Sequence, residues 1–155
     1  MLVARVLGRC PEILDAVVHL DDAVRVRGRL SRRLKETVRR SAAPEVGCRY
    51  CVSLGDAPSE FTDRREELAV ALTNQMLDDP ASVDDELFDQ LRTVFDDEAI
   101  VELVAWIAYL VIGGQTFGAV MGLEPAQPGE AEWYQRNVVR ADQAARLTAR
   151  SDSDR

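Results

Sequence analysis

A chain of 155 residues with 46% hydrophobic and 30% charged residues can bury one real core without disulfide staples, which excludes a disordered or fibrous protein. Its formal net charge of −8 repels phosphate over most of the surface and argues against a general nucleic-acid or anionic-membrane binder. The cations crowd between Arg25 and Arg40, a stretch that reads as a solvated helix face or as a contact for an acidic neighbouring subunit.

The opening Met1-Leu2-Val3-Ala4-Arg5 lacks a long apolar run with a small-residue cleavage site, so no secretory signal is expected and a cytoplasmic location is. Pro11 suits a first helical position, and Leu14, Val17, Val18 and Val24 follow at near-helical spacing, which predicts a helix over Pro11 to Val26. Gly28 ends it. Ser31 is the expected N-cap of a second helix with Leu34, Val38 and Ala42 on one face, and Pro44 and Gly47 should interrupt or kink the chain before Cys48. A short helix is predicted from Cys48 to Leu54, closed by Gly55-Asp56-Ala57-Pro58.

Leu68, Leu72 and Met76 mark a helix from Thr62 to Leu77, stopped at Asp79-Pro80. Ser82 is the expected cap of a helix bearing Leu87, Leu91 and Val94, and Asp96 and Asp97 stand at the favourable end of a helix over Ala99 to Val111. That helix is apolar nearly all round, interrupted by Glu102 and shorter than a bilayer span, so it should be enclosed in the core or in an oligomer interface. Gly113, Gly114, Gly118 and Gly122 should loosen its continuation. A last helix is predicted over Glu130 to Ala149 with Trp133, Val138 and Leu147 on one side, and 151–155 as a frayed tail. The expectation is one all-α domain over 1–150, with no repeat and no strand pair.

Chemistry concentrates at Cys48-Arg49-Tyr50-Cys51. Cysteines three apart on a helix share a face, so their sulfurs can bond after a small adjustment. A helix start offers unpaired N–H groups and positive dipole charge, which stabilise thiolate, the species that attacks peroxides and disulfides. The same spacing serves zinc, but tetrahedral zinc wants four ligands and only Cys10 and His19 remain as soft candidates, so no metal or other cofactor is expected. Two buried cysteines packed as small hydrophobes are the plain alternative.

Leu34-Lys35-Glu36-Thr37-Val38-Arg39 followed by Gly47-Cys48-Arg49-Tyr50-Cys51 resembles the core motif of the carboxymuconolactone decarboxylase superfamily, in particular its alkyl hydroperoxidase D-like branch. Glu36 precedes Cys48 by twelve positions, as a glutamate does in that branch, and the resemblance extends over most of the chain to Pro125. It implies an all-helical fold assembled as trimers or hexamers. It implies a Cys48–Cys51 pair that reduces hydroperoxides or disulfides, or passes electrons to a peroxiredoxin-type or dithiol partner, with Glu36 assisting proton transfer and Cys51 the more reactive thiol. Helix-dipole reasoning alone favours Cys48 instead.

The sequence also departs from that pattern. Gly55 stands where relatives carry a histidine four residues after the second cysteine, Tyr50 where some peroxidases carry one, Pro44 where the family helix continues, and Val46 in place of a common asparagine. Asp56 is a conceivable substitute acid but a natural turn former. Glu36 has Arg32, Arg33, Arg39 and Arg40 three and four positions away, which also allows a merely structural role in surface ion pairs of about 0.2–0.5 kcal/mol each. A non-catalytic redox sensor or interaction protein is therefore the second expectation, and lactone decarboxylation a weak third.

Overall fold

The computed structural model describes residues 2–139, and these are helical and turn structure with no strand among them. The chain opens with α1 (Leu2–Leu7), for which the sequence offered no signal, and continues with α2 (Pro11–Asp21), which runs into a π-helical turn, Asp22–Val26. Next comes α3 (Arg32–Val46), started by the Ser31 hydroxyl, which accepts from Leu34 N at 3.2 Å. It does not break at Pro44. Proline removes one amide donor in the last turn, and Ala42 and Ala43 are fully buried there, so packing outweighs the loss. The helix ends instead at Gly47, whose φ of 75° is the left-handed cap that glycine adopts without a Cβ clash.

Then follow α4 (Arg49–Ser53), α5 (Arg64–Asp78), a 3-10 turn at Pro80–Ser82 and α6 (Asp85–Arg92). The cap of α6 is Asp84, whose carboxylate accepts from Leu87 N at 2.9 Å; Ser82, the expected cap, lies in the preceding turn. The next helix is longer than predicted: α7 (Asp97–Ala105) passes through a π-helical stretch, Trp106–Ile112, into α8 (Gly113–Val120), 24 residues in all. Gly113, Gly114 and Gly118 do not loosen it; only Gly122, with a φ of 62°, stands past its end in a turn. By length and composition alone this helix could cross a bilayer, yet Ile100, Leu103, Trp106, Ile107 and Val111 are core residues here. Within the single chain it is not covered all round, because Val101 and Tyr109 are exposed.

The described residues end with α9 (Pro128–Tyr134) and a π-helical turn, Gln135–Val139. Trp133, expected inside, is 47% exposed, and the neighbouring Tyr134 is the buried one. Leu147 and the 151–155 tail lie outside the described residues.

Two apolar clusters follow from this order. The larger joins Leu34 and Val38 of α3 to Leu68 and Leu72 of α5 and to Leu103, Trp106 and Ile107. Each such aliphatic side chain contributes about 1.5–3 kcal/mol on leaving water. The smaller cluster holds Ala43, Cys48, Tyr50, Cys51, Leu54, Leu123 and Tyr134. Helix α3 borders both, so its two sides serve different ends.

One of those sides carries Lys35, 1% exposed and 2.7 Å from a Glu102 carboxylate oxygen. The same carboxylate accepts from Arg29 N at 2.6 Å and Leu30 N at 3.1 Å, while Lys35 Nζ donates to the Val24 carbonyl. Glu102, the one charge of that helix beyond its first turn, thus pins the turn between the second and third helices.

Candidate functional site

Cys48 and Cys51 form a disulfide, with Cα atoms 5.2 Å apart. Gly47 turns the chain out of α3, Cys48 becomes the N-cap of the five-residue α4, and its Sγ accepts from Cys51 N at 3.2 Å. Buried backbone N–H aimed at sulfur favours negative charge there once the bond is reduced. The two sulfurs are not equivalent. Cys48 is fully buried and Cys51 is 9% exposed.

The close approach of another helix fixes the pair from the opposite side. Gly118 of α8 lies against it so tightly that a Cβ there would stand 2.8 Å from Cys48 Sγ and 3.7 Å from Cys51 Sγ. Any larger residue would displace the sulfurs or the helix. The glycine that reads as a loosening of α8 is instead the wall of the dithiol site.

Glu36 is not on the surface. It is 5% exposed, and every hydrogen bond to its carboxylate is of short ordinary length: Arg39 Nε at 2.9 Å, the second Arg39 nitrogen at 2.7 Å, Arg40 Nε at 2.9 Å and Tyr134 OH at 2.9 Å. Arg33 turns away to Glu66 at 2.8 Å, so of the four arginines only two pair with Glu36. Burial alone would raise the Glu36 pKa, but the hydrogen bonds and charge of Arg39, with those of Arg40 and Tyr134, hold it below the ordinary carboxylate range. Glu36 is a fixed anion.

That anion connects to the dithiol through one guanidinium. The remaining terminal nitrogen of Arg39 donates to the Cys51 carbonyl at 2.8 Å. Tyr134 caps the arrangement, with the Arg39 guanidinium 5.3 Å from its ring centre and its hydroxyl accepting from Arg25 at 3.2 Å. Burial raises the Tyr134 pKa, and Glu36 adds to this against the opposing charges of Arg39 and Arg25, so the hydroxyl stays a donor to Glu36. Tyr50, on α4 itself, donates to Glu130 at 2.7 Å, and burial followed by that partner pushes its pKa up.

A largely apolar cavity of about 520 Å³ reaches Cys51. Val3 and Leu7 of α1, Leu14 and Val17 of α2, Leu110 and Val138 form much of its wall, and Arg39, Gln115 and Tyr134 supply polar groups. Of the two cysteines only Cys51 lines it.

The other expected residues lie elsewhere. Where relatives in the resembled branch carry a histidine, a side chain on Gly55 would run into the Arg40 guanidinium at 2.9 Å and the Gln135 amide at 3.0 Å, and these two are hydrogen-bonded to each other at 2.9 Å. Asp56 is exposed, His19 is exposed and bonded to its own helix at Asp15, and Cys10 is a free, exposed thiol. Sequence reading missed Arg39 as a bridge, and Tyr134, Gln115 and Gly118 altogether. Only Arg39 had a local signal, its position three residues after Glu36. Comparison with known proteins finds no family model and no curated protein that matches this chain.

Proposed function

We propose that the chain is a CxxC-dependent thiol-disulfide redox protein of the alkyl hydroperoxidase D-like branch of the carboxymuconolactone decarboxylase superfamily, acting as a peroxidase or disulfide reductase in antioxidant defence. The observation that carries this reading is the asymmetry of the disulfide-bonded pair: Cys51 lines an apolar cavity, and Cys48 is fully buried and does not. In the reduced form the Cys51 thiol gives up its proton, the thiolate attacks the terminal oxygen of a hydroperoxide and the O–O bond breaks; Cys51 becomes a sulfenic acid with the hydroperoxide's own proton, and the leaving alkoxide takes up the proton Cys51 released and departs as the alcohol. The Cys48 thiol then attacks that sulfur, releasing water and restoring the disulfide. A dithiol donor re-reduces the pair by exchange.

Glu36 supports this chemistry by balancing Arg39 beside Cys51, and an ionised carboxylate in that place suits proton transfer in charge while its lowered pKa makes it a weak base. In this reading the protein works in the cytoplasm, where disulfides are re-reduced, and assembles as a trimer or hexamer that covers Val101, Tyr109 and Val120.

The test follows hydroperoxide loss with a dithiol reductant. Cys51→Ser should show no consumption, and Cys48→Ser, reduced beforehand and freed of the dithiol, should consume one equivalent per chain and stall as the sulfenic acid. Undiminished turnover in both variants overturns the reading. Position 55, filled by Arg40 and Gln135 in place of a histidine, favours the second reading of a redox sensor with little turnover. That reading predicts a reversible disulfide, negligible peroxidase activity and a change of oligomer mass on oxidation.

A further inference from the structure

The charges around the cavity that Cys51 lines leave one cation over. Arg25 is held by Asp21 at 2.8 Å, and Arg39 shares Glu36 with Arg40. The other acid of the wall, Asp22, is taken by Arg27 at 2.7 Å. Arg32 also lines the cavity, is half-buried, and has no acidic partner among the described residues. The hydrogen bond it makes there runs from a terminal nitrogen to the Val138 carbonyl at 3.5 Å, longer than an ordinary N–H···O bond.

Arg32 opens α3, and Arg39 follows on the same helix two turns later, so about 10 Å of helix axis separate them. Arg39 is the residue that donates to the Cys51 carbonyl, and all three line the one cavity, which therefore runs along two turns of α3. Its volume of about 520 Å³ falls within the about 300–1,000 Å³ of small-molecule sites. A half-buried cation keeps part of its hydration, so an anion can pair with it at less desolvation cost than in a deep ion pair. Apolar groups attached to that anion gain by leaving water for the rest of the wall.

We propose that this cavity binds an aliphatic monocarboxylate, a fatty acid of medium chain length, with its carboxylate paired to the Arg32 guanidinium and its chain laid along α3 toward Cys51. The planar guanidinium fork matches a carboxylate through two parallel hydrogen bonds. A neutral ligand leaves Arg32 without its counter-charge, and a carboxylate with no tail gains nothing from the apolar walls. The site does not rest on the redox reading above.

The experiment is calorimetric titration of the oxidised protein at neutral pH with octanoate and with octanol, which share a tail and differ in the charge of the head. Octanoate should bind about tenfold more tightly, the ratio that a charge-assisted hydrogen bond supports. In Arg32→Gln octanoate should fall to the level of octanol, while octanol binds as in the parent. Arg92→Gln, which removes an equal charge from α6 outside the cavity, should leave both affinities unchanged. Val17→Trp, which fills the cavity, should weaken both ligands. No binding of octanoate, equal affinities in the parent protein, a preference that survives Arg32→Gln or is lost equally in Arg92→Gln, or unweakened binding in Val17→Trp each overturn the proposal. The parent comparison needs no variant, so a misfolded variant leaves the proposal open to refutation. Selective octanoate binding by a protein that consumes no hydroperoxide would uphold the site and overturn only the peroxidase reading; hydroperoxide turnover without octanoate binding would do the reverse.

Discussion

Adjacent residues of α3, Lys35 and Glu36, each enter a buried ion cluster, and the two clusters differ in what they touch. Lys35 meets Glu102 of α7 and the Val24 carbonyl, and the Glu102 carboxylate in turn accepts from the backbone N–H groups of Arg29 and Leu30 in the turn between the second and third helices. Glu36 meets Arg39, Arg40 and Tyr134, and through Arg39 the carbonyl of Cys51. The first cluster closes on backbone and fixes a loop. The second includes Arg39 and Tyr134, which line a cavity, so its charge state is felt where a ligand can sit. Burial of charge is common to both, and only the neighbours separate a pin from a site.

Glu36→Gln is the largest expected break in that comparison. It leaves the Arg39 cation buried with the Cys51 carbonyl and a neutral amide as partners, a loss in the upper part of the about 3–5 kcal/mol typical of halving a buried pair. Denaturant unfolding measures it. Because the folded-state pKa of Glu36 is lowered, its contribution is complete above the unfolded value of about 4.3 and disappears as pH falls through the folded one. The parent and variant should therefore converge in stability on acidification. Alkylation of the reduced variant should also show a lower Cys51 thiol pKa, since Arg39 has lost its balancing anion.

Lys35→Met should cost the lower part of the same range, about 3 kcal/mol, because Glu102 keeps its two backbone donors. Cys51 alkylation should be unchanged. If the Lys35 variant altered thiol reactivity as much as the Glu36 variant, the division into pin and site would fail.

Gly118→Ala should have the smallest effect on stability, about 1–3 kcal/mol from overpacking, and a clear one on chemistry. The added methyl group falls on Cys48 Sγ, so closure of the disulfide after Cys51 oxidation should slow, measured as a longer-lived sulfenic acid trapped by dimedone. Unaltered closure in a folded Gly118→Ala protein would show that α8 does not hold the pair.

Much of the fold was legible. Caps and breakers act within a few residues, so Ser31, Gly47 and Asp96 mark their helix ends in the sequence as they do in the structure. Where local signals misled, a buried surface overrode them: α3 runs through Pro44 beside the buried Ala42 and Ala43, Gly118 sits inside α8 where that helix packs on the cysteine pair, and Tyr134, which has a carboxylate to bond, takes the interior that Trp133 does not. The site was half legible, since the CxxC spacing and the neighbouring arginines of Glu36 are local, while the depth at which they lie is not.

The sequence by itself determined that the chain is helical, where most helices start and stop, and that two cysteines share one helix start, because each of these depends on residues a turn or two apart. Tertiary structure alone decided which cysteine lines the cavity, that Glu36 is buried among cations that hold its pKa low, and that Gly118, Gln115 and Tyr134 stand around the pair and its neighbouring charges. Those contacts join positions as far apart as Tyr134 and Glu36, 98 residues along the chain. No periodicity reaches that distance; only the packing of α8 and α9 against α3 and α4 brings them together.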